Sequence, residues 1–207
     1  MAYPTGDGDT STPPASRGGR PRSKEVHQAI LQATFDLVLR DGFRAVSVES
    51  IASSAGVSKA SIYRRWPNKA AMVMDAFTDK VGSGSLFPKA STATESIRLQ
   101  MRAMAKSFRG SDGALVKALL AEAQFDPDLA QAFQDRWTIP RRKLGMAVVQ
   151  DAIREGEIPA DVDPAEAIDV LYAPIYYRLQ MGTGPLSTAY VEGIFRRVMQ
   201  GLGGKCS

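Results

Sequence analysis

Apolar residues along this chain recur at intervals of three and four from Val26 to Leu202, and the period-two alternation of a half-buried strand is nearly absent. Val26, Ile30, Ala33, Leu37 and Val38 give a first helix over residues 24–40, with His27 exposed in its first turn. It ends at Asp41-Gly42, and Phe43 and Val46 turn back as plugs. Ser47 is the N-cap of a short helix over 48–54 that turns Ile51 inward and offers small Ala52 and Ala55 to a crossing partner. Gly56 stands where that helix must stop, and a positive φ there is cheap only for glycine. Val57 fills the angle, Ser58 caps a helix over 59–66 anchored by Ile62, and Pro67 closes it. Asn68 caps a fourth helix from Lys69 to about Val81, striped by Val73, Ala76, Phe77 and Lys80. Gly82-Ser83-Gly84-Ser85 then reads as a flexible joint.

Beyond the joint the period stays helical. Ile97, Met101, Met104 and Phe108 mark a fifth helix that stops at Gly110, and Leu115, Leu119 and Ala123 mark a sixth. Asp126-Pro127 opens a long seventh with Leu129, Phe133, Leu144 and Val148, kinked at Pro140 and ending at Gly156. Asp163-Pro164-Ala165-Glu166 is a capping box for an eighth, which carries Ile168, Leu171, Tyr172, Ile175 and Leu179 around an internal Pro174. Ser187 starts a ninth with Val191, Ile194, Phe195, Val198 and Leu202. The expected fold is all-α, an N-terminal three-helix helix-turn-helix head followed by a C-terminal helical bundle, about nine helices in total. Its parts are a disordered arm over 1–23, a head over 24–70, and a ligand-binding and dimerisation domain over 71–207. The apolar stripes of the last two helices are wider than one core needs, which points to a homodimer formed through them.

Charge is unevenly placed. From Pro14 to Ala70 there are ten Lys and Arg against four Asp and Glu, and from Ala71 onward there are sixteen of each. An anionic partner therefore belongs to the first third of the chain. Cys206 is the single cysteine and His27 the single histidine. No disulfide framework, Cys or His metal site or His-based triad can be assembled from them, so no catalytic residue, metal or cofactor is expected. No apolar run approaches the ~18–20 residues of a membrane span, and the N-terminus lacks the apolar core of a signal peptide. A cytoplasmic protein without a membrane partner is expected.

The helix over 59–66 has one apolar anchor and carries Lys59, Ser61, Tyr63, Arg64 and Arg65 on its other faces. A buried helix is not built this way, whereas a helix offering hydrogen-bond donors to the groove of double-stranded DNA is. Two surface helices with a solvated basic face are the plainer alternative. Ser47, Tyr63 and Lys69 are candidate phosphate clamps, and Lys59, Ser61 and Arg64 candidate readers of base edges. In the arm, Arg20 and Arg22 can follow a narrow minor groove or belong to a solvated linker, and both readings stand.

The segments Ile30-Leu31, Ala33-Thr34-Phe35, Asp41-Gly42-Phe43, Ser47-Val48, Ile51-Ala52, Ala55-Gly56-Val57-Ser58-Lys59 and Ile62-Tyr63-Arg64-Arg65-Trp66-Pro67-Asn68-Lys69 together resemble the N-terminal domain of the TetR family of bacterial transcription regulators. Gly156-Glu157-Ile158-Pro159, Ala173-Pro174-Ile175-Tyr176-Tyr177-Arg178-Leu179 and Pro185-Leu186 resemble a large subgroup of that family. The resemblance implies a dimeric repressor that a small hydrophobic effector releases from its operator. A transcriptional activator, or an architectural DNA-binding protein without an effector, is the alternative. It also implies that Lys59, Ala60, Ser61, Tyr63 and Arg64 face DNA and that Lys69 binds phosphate. Arg65 and Trp66 stand where the family more often has His-Phe, and Arg65 adds a backbone contact. For the unidentified effector, Met101, Met104, Phe108, Phe133, Trp137, Tyr172, Tyr176 and Arg178 supply apolar contacts with a few polar tips. Arg178, a charge in an apolar stretch, needs a partner, either an acidic ligand or Asp169 or Glu192.

Overall fold

The computed structural model describes residues 20–82 and 86–203, and for residues 20–22 the backbone alone. Helix α1 (Arg20–Ala45) begins at Arg20 rather than at residue 24. Pro21 suits a first helical turn, because its ring presets φ and its missing N–H has no intrahelical partner there anyway. The expected disordered arm thus gives way to helix at Arg20, and residues 1–19 lie outside the described residues. Gly42 (φ 82°, ψ 162°) interrupts α1 where a stop is expected, and Phe43 and Val46 are buried behind it.

Helix α2 (Val48–Ser54) starts in a capping box in which Ser47 and Ser50 exchange side-chain-to-backbone bonds. Helix α3 (Lys59–Tyr63) is shorter than the expected 59–66. Pro67 keeps Trp66 out of the helical region, so the N–H groups of Arg65 and Trp66 both turn back to the Ile62 carbonyl, at 2.8 and 3.0 Å. His27 is not simply exposed. Its ring stacks on Trp66 with centroids 4.9 Å apart and planes 14° from parallel.

Helix α4 (Lys69–Val81) departs from the expected stripe: Lys80 is exposed, and Ala70 to Met74, Ala76 and Phe77 are all buried. The reason is position. One side of α4 packs on α1, and another meets α7 (Pro127–Phe133) and the π-helical turn Gln134–Thr138 that follows it. The core therefore runs without interruption from Ile51 and Ile62 through Met72 and Phe77 to Met101 and Leu171.

α7, the π turn and α8 (Ile139–Arg154) succeed one another directly, so the described residues form nine rods: α1 to α6, this long seventh, α9 and α10. The expected kink at Pro140 takes the form of that π turn. Pro140 has no N–H for the Arg136 carbonyl, and the wider turn accommodates its ring. Helices α5 (Ala93–Ser107), α6 (Ser111–Glu122), α9 (Pro164–Met181) and α10 (Thr188–Gly201) complete the bundle. Glu157, in the turn after α8, accepts the Thr94 N–H at 2.8 Å and so caps α5 from across the bundle. Asp163 caps α9 through the Ala165 N–H at 2.8 Å, while Glu166, the other half of the expected box, is exposed.

The wide stripes of α9 and α10 are largely used within the chain. Leu171, Ile175, Val191 and Phe195 are buried, and Tyr172, Leu179, Ile194, Val198 and Leu202 are half-buried. A second apolar row stays outside on α9: Val170, Ala173, Tyr177 and Met181. No helix among the described residues is long and apolar enough to cross a membrane. The expected joint over 83–85 lies outside the described residues.

Candidate nucleic-acid interface and ligand cavity

The turn between α2 and α3 is set by local bonds. Gly56 takes φ 64°, the Val57 N–H reaches the Ala52 carbonyl at 2.9 Å, and the Ser58 hydroxyl accepts the Ser61 N–H at 3.2 Å. With Ile62 driven into the core, Lys59, Ala60, Tyr63 and Arg64 face solvent, and Tyr63 is 56% exposed. Ser47 is exposed too; its oxygen accepts the Ser50 N–H at 3.1 Å, which leaves its hydrogen to donate. Arg64 leans on the Ser61 hydroxyl at 3.0 Å.

Lys59 and Arg65, both expected to contact DNA, are also engaged within the chain. The Lys59 ammonium meets Glu49 at 2.8 Å, and this exposed pair must open before Lys59 reaches a base or a phosphate. Arg65 is half-buried; it donates to the Ser61 carbonyl at 2.8 Å and the Ser23 hydroxyl at 3.4 Å, bracing α3 against the start of α1. Arg20 and Arg22 belong to the first turn of α1, not to an extended arm.

Lys69 has a structural duty that its sequence context does not show. Its ammonium donates to the carbonyls of Phe43 at 2.8 Å and Val46 at 3.0 Å and lies 4.1 Å from the Phe43 ring centroid. Burial pushes its pKa below the ordinary lysine value. Only the third N–H is left for a phosphate. Lys69→Ala is expected to lower stability by about 1–3 kcal/mol, since two carbonyls lose their donor. Chemical denaturation without DNA checks this, and an unchanged midpoint would mean that the clip contributes nothing.

At the exit of α3, the Trp66 indole N–H donates to Asp75 on α4 at 2.7 Å. The other oxygen of Asp75 accepts from Arg136 in the π turn, also at 2.7 Å. One carboxylate thus joins the end of the helix-turn-helix to the turn that opens α8.

Next to that turn lies a cavity of about 270 Å³, between α5, α8 and α9. Of the expected ligand residues, Met104, Tyr172 and Tyr176 line it, while Phe108 and Trp137 line a smaller adjoining space of about 140 Å³. Met101 and Phe133 are buried core residues on neither wall. Arg178 is on neither wall and meets neither expected carboxylate. Its guanidinium lies 3.3 Å from the Tyr190 ring centroid and donates to the Pro185 carbonyl at 3.0 Å. Asp169 pairs instead with Arg142, and Glu192 with Arg98 and Arg102. Among the lining residues that sequence reasoning did not assign to a ligand site are the polar Gln100, Arg141, Arg142 and Asp169, the last expected only as a possible partner of Arg178. The one signal for them is Arg141-Arg142 directly after Pro140, a charged pair at the start of a helix that packs on both α5 and α9.

Two family models match the chain: the bacterial regulatory proteins of the tetR family over residues 30–76, and the tetracyclin repressor-like C-terminal domain over 88–198. The chain is also 34% identical over 187 residues to the uncharacterized HTH-type transcriptional regulator YdeS of Bacillus subtilis (strain 168), across 90% of this chain and 94% of that one. The chain belongs to the TetR family. TetR-family membership makes it a transcription regulator with a DNA-binding helix-turn-helix, here α2 and α3. The crystal structure of the TetR family transcription regulator SCO0332 superposes with a TM-score of 0.72 at 30% identity, covering 88% of this chain and all (100%) of that one. The DNA-binding transcriptional repressor TetR of Mycobacteroides abscessus is 29% identical over 82% of this chain and 90% of its own length. FadR of Bacillus subtilis, crystallised with stearoyl-CoA, shares the fold at a TM-score of 0.63 and 18% identity, over 84% of this chain and 98% of that one.

Proposed function

We propose that this TetR-family regulator is a repressor, bound to its operator as a homodimer and released by a small effector in the cavity between α5, α8 and α9. The observation that carries the reading is the Trp66–Asp75–Arg136 bridge. Arg136 precedes Trp137, Thr138 and Arg141, which border the two adjoining spaces, so a ligand that displaces the π turn pulls on Asp75 and through it on Trp66. Differential affinity for two positions of that turn is all that release requires. The similarity to a repressor of known DNA binding supports the repressing sense.

On the DNA side, Ser47, Tyr63 and the free N–H of Lys69 hold phosphates, while Lys59, Ser61 and Arg64 read base edges with Ala60 in apolar contact. Arg65 acts by holding α3 in place. A second copy covers the outer row of α9, from Val170 to Met181, together with the neighbouring face of α10. Two heads then read two half-sites.

Asp75→Asn tests the coupling. The amide still offers an oxygen to Trp66 but no longer a charge to Arg136. The variant is expected to bind upstream DNA of its own gene as wild type does, and to stay bound when a cavity ligand found by thermal-shift screening is added. Normal release in fluorescence anisotropy would remove Asp75 from the coupling.

A further inference from the structure

The cavity holds two arginines in different states. Arg142 is neutralised by Asp169 and also donates to the Ala165 carbonyl at 3.3 Å. Arg141 has no carboxylate partner among the described residues. It is partly buried, its guanidinium carbon lies over Trp137 at 3.3 Å from the ring centroid, and its only hydrogen bond among the described residues is a long one of 3.5 Å to the Trp137 carbonyl. A guanidinium over a ring face keeps its N–H donors at its rim; one terminal nitrogen lies beside Gly82 at the end of α4, and Arg141 lines both the cavity and the smaller adjoining space.

The polar groups around Arg141 lean the same way. The Tyr176 oxygen accepts the Trp137 indole N–H at 3.0 Å, so its own O–H remains free to donate. The Tyr172 hydroxyl is already committed to Gln100, at 2.5 Å. The carboxylate on the wall, Asp169, is taken by Arg142. The site therefore holds spare donors and one spare positive charge, with little left to accept. Thr138 apart, its remaining lining, including Met104, Phe87 and Ile168, is apolar. Burial alone pushes the Arg141 pKa down to about 10, the direction expected of a cation that lacks a counter-charge.

We propose that the effector is a small organic acid, whose carboxylate sits on the Arg141 guanidinium and accepts from the Tyr176 hydroxyl while a compact apolar body fills the rest of the cavity. This rests on the reading of the cavity as the effector site. The volume, near the lower end of the ~300–1,000 Å³ common for ligand pockets, favours one or two fused rings or a short branched chain. An ammonium ligand meets repulsion from Arg141, and a neutral ligand leaves it unpaired.

The test is calorimetric titration of the full chain at neutral pH with 2-naphthoate, 2-naphthamide and 2-naphthylmethylammonium, and with the corresponding benzene series. The acids are expected to bind about tenfold or more tightly than the amides, and the ammonium compounds most weakly. Arg141→Gln is expected to erase the advantage of the acid while leaving amide affinity where it was, and Arg141→Lys to keep part of it. Circular dichroism confirms that each variant is folded; should the Gln variant unfold, the acid–amide contrast in wild type and Arg141→Lys decides. Equal binding of acid and amide to wild type, or an acid preference that survives Arg141→Gln, overturns the proposal and leaves the cavity as a ligand site. Binding of none of the six overturns the effector-site reading and the proposal with it.

Discussion

Tyr177→Glu is expected to give a folded monomer whose grip on its operator is gone. Tyr177 is 58% exposed, in a row with Val170 at 46% and Met181 at 66%, all on the face of α9 turned away from the core. Single exposed apolar residues need no explanation, but a helical row of them is what a partner helix covers. A glutamate here stays hydrated in the monomer, so stability should hold. In the dimer it would be desolvated against an apolar surface, and the two-fold axis would bring in its copy. Losing the second head removes the avidity of two linked contacts, on the order of 10²–10⁴ in affinity. Sedimentation and anisotropy read the two halves of this result. A variant that remains a dimer would place the contact on another face.

Trp66→Ala is the second large effect. The indole is 2% exposed, stacks on His27 and donates to Asp75, so its removal empties a large space between α1, α3 and α4. A loss of about 3–5 kcal/mol is the usual range for such a deletion, and the head should melt below the rest of the chain or take the rest with it. Trp66→Phe fills most of the space and drops only the bond to Asp75, with a loss of about 1 kcal/mol. Thermal unfolding of the pair separates packing from the bridge. Equal losses would mean that the hydrogen bond dominates and the packing does not.

The head is legible in the sequence because its signals are local. Ser47, Gly56, Ser58, Pro67 and Asn68 each fix the backbone within a few residues of themselves, and the structure uses each in the expected place. Helix α3 is shorter than its pattern implies, because Lys59 to Arg65 keeps a helical spacing up to the proline that shortens it. Lys69 faces inward because a chain reversal that leaves no periodic mark brings it the Phe43 and Val46 carbonyls, while Arg65 folds back on the Ser61 carbonyl one turn earlier, within α3.

The cavity was far less legible. Its aromatic members stand out on apolar stripes, but Gln100, Arg141, Arg142 and Asp169 read as solvated polar positions and become a site only when three helices converge. Arg178 shows the converse. It looked unpaired beside apolar neighbours, yet the reversal at Gly182 returns the Pro185 carbonyl and the Tyr190 ring to it. The exposed row on α9 was hidden for a related reason: the inward residues of the same helix carry the stronger apolar signal.

The most direct measurement is an anisotropy titration of the full chain with labelled DNA from upstream of its own gene and with shuffled DNA of the same composition. Each DNA is titrated with and without a ligand shown by calorimetry to occupy the cavity. The expected result is at least about 10³-fold tighter binding of the upstream fragment. Occupancy of the cavity should then weaken that binding roughly 5–150-fold. Equal affinity for the two DNAs, or an occupied cavity with unchanged operator affinity, would contradict a ligand-released repressor.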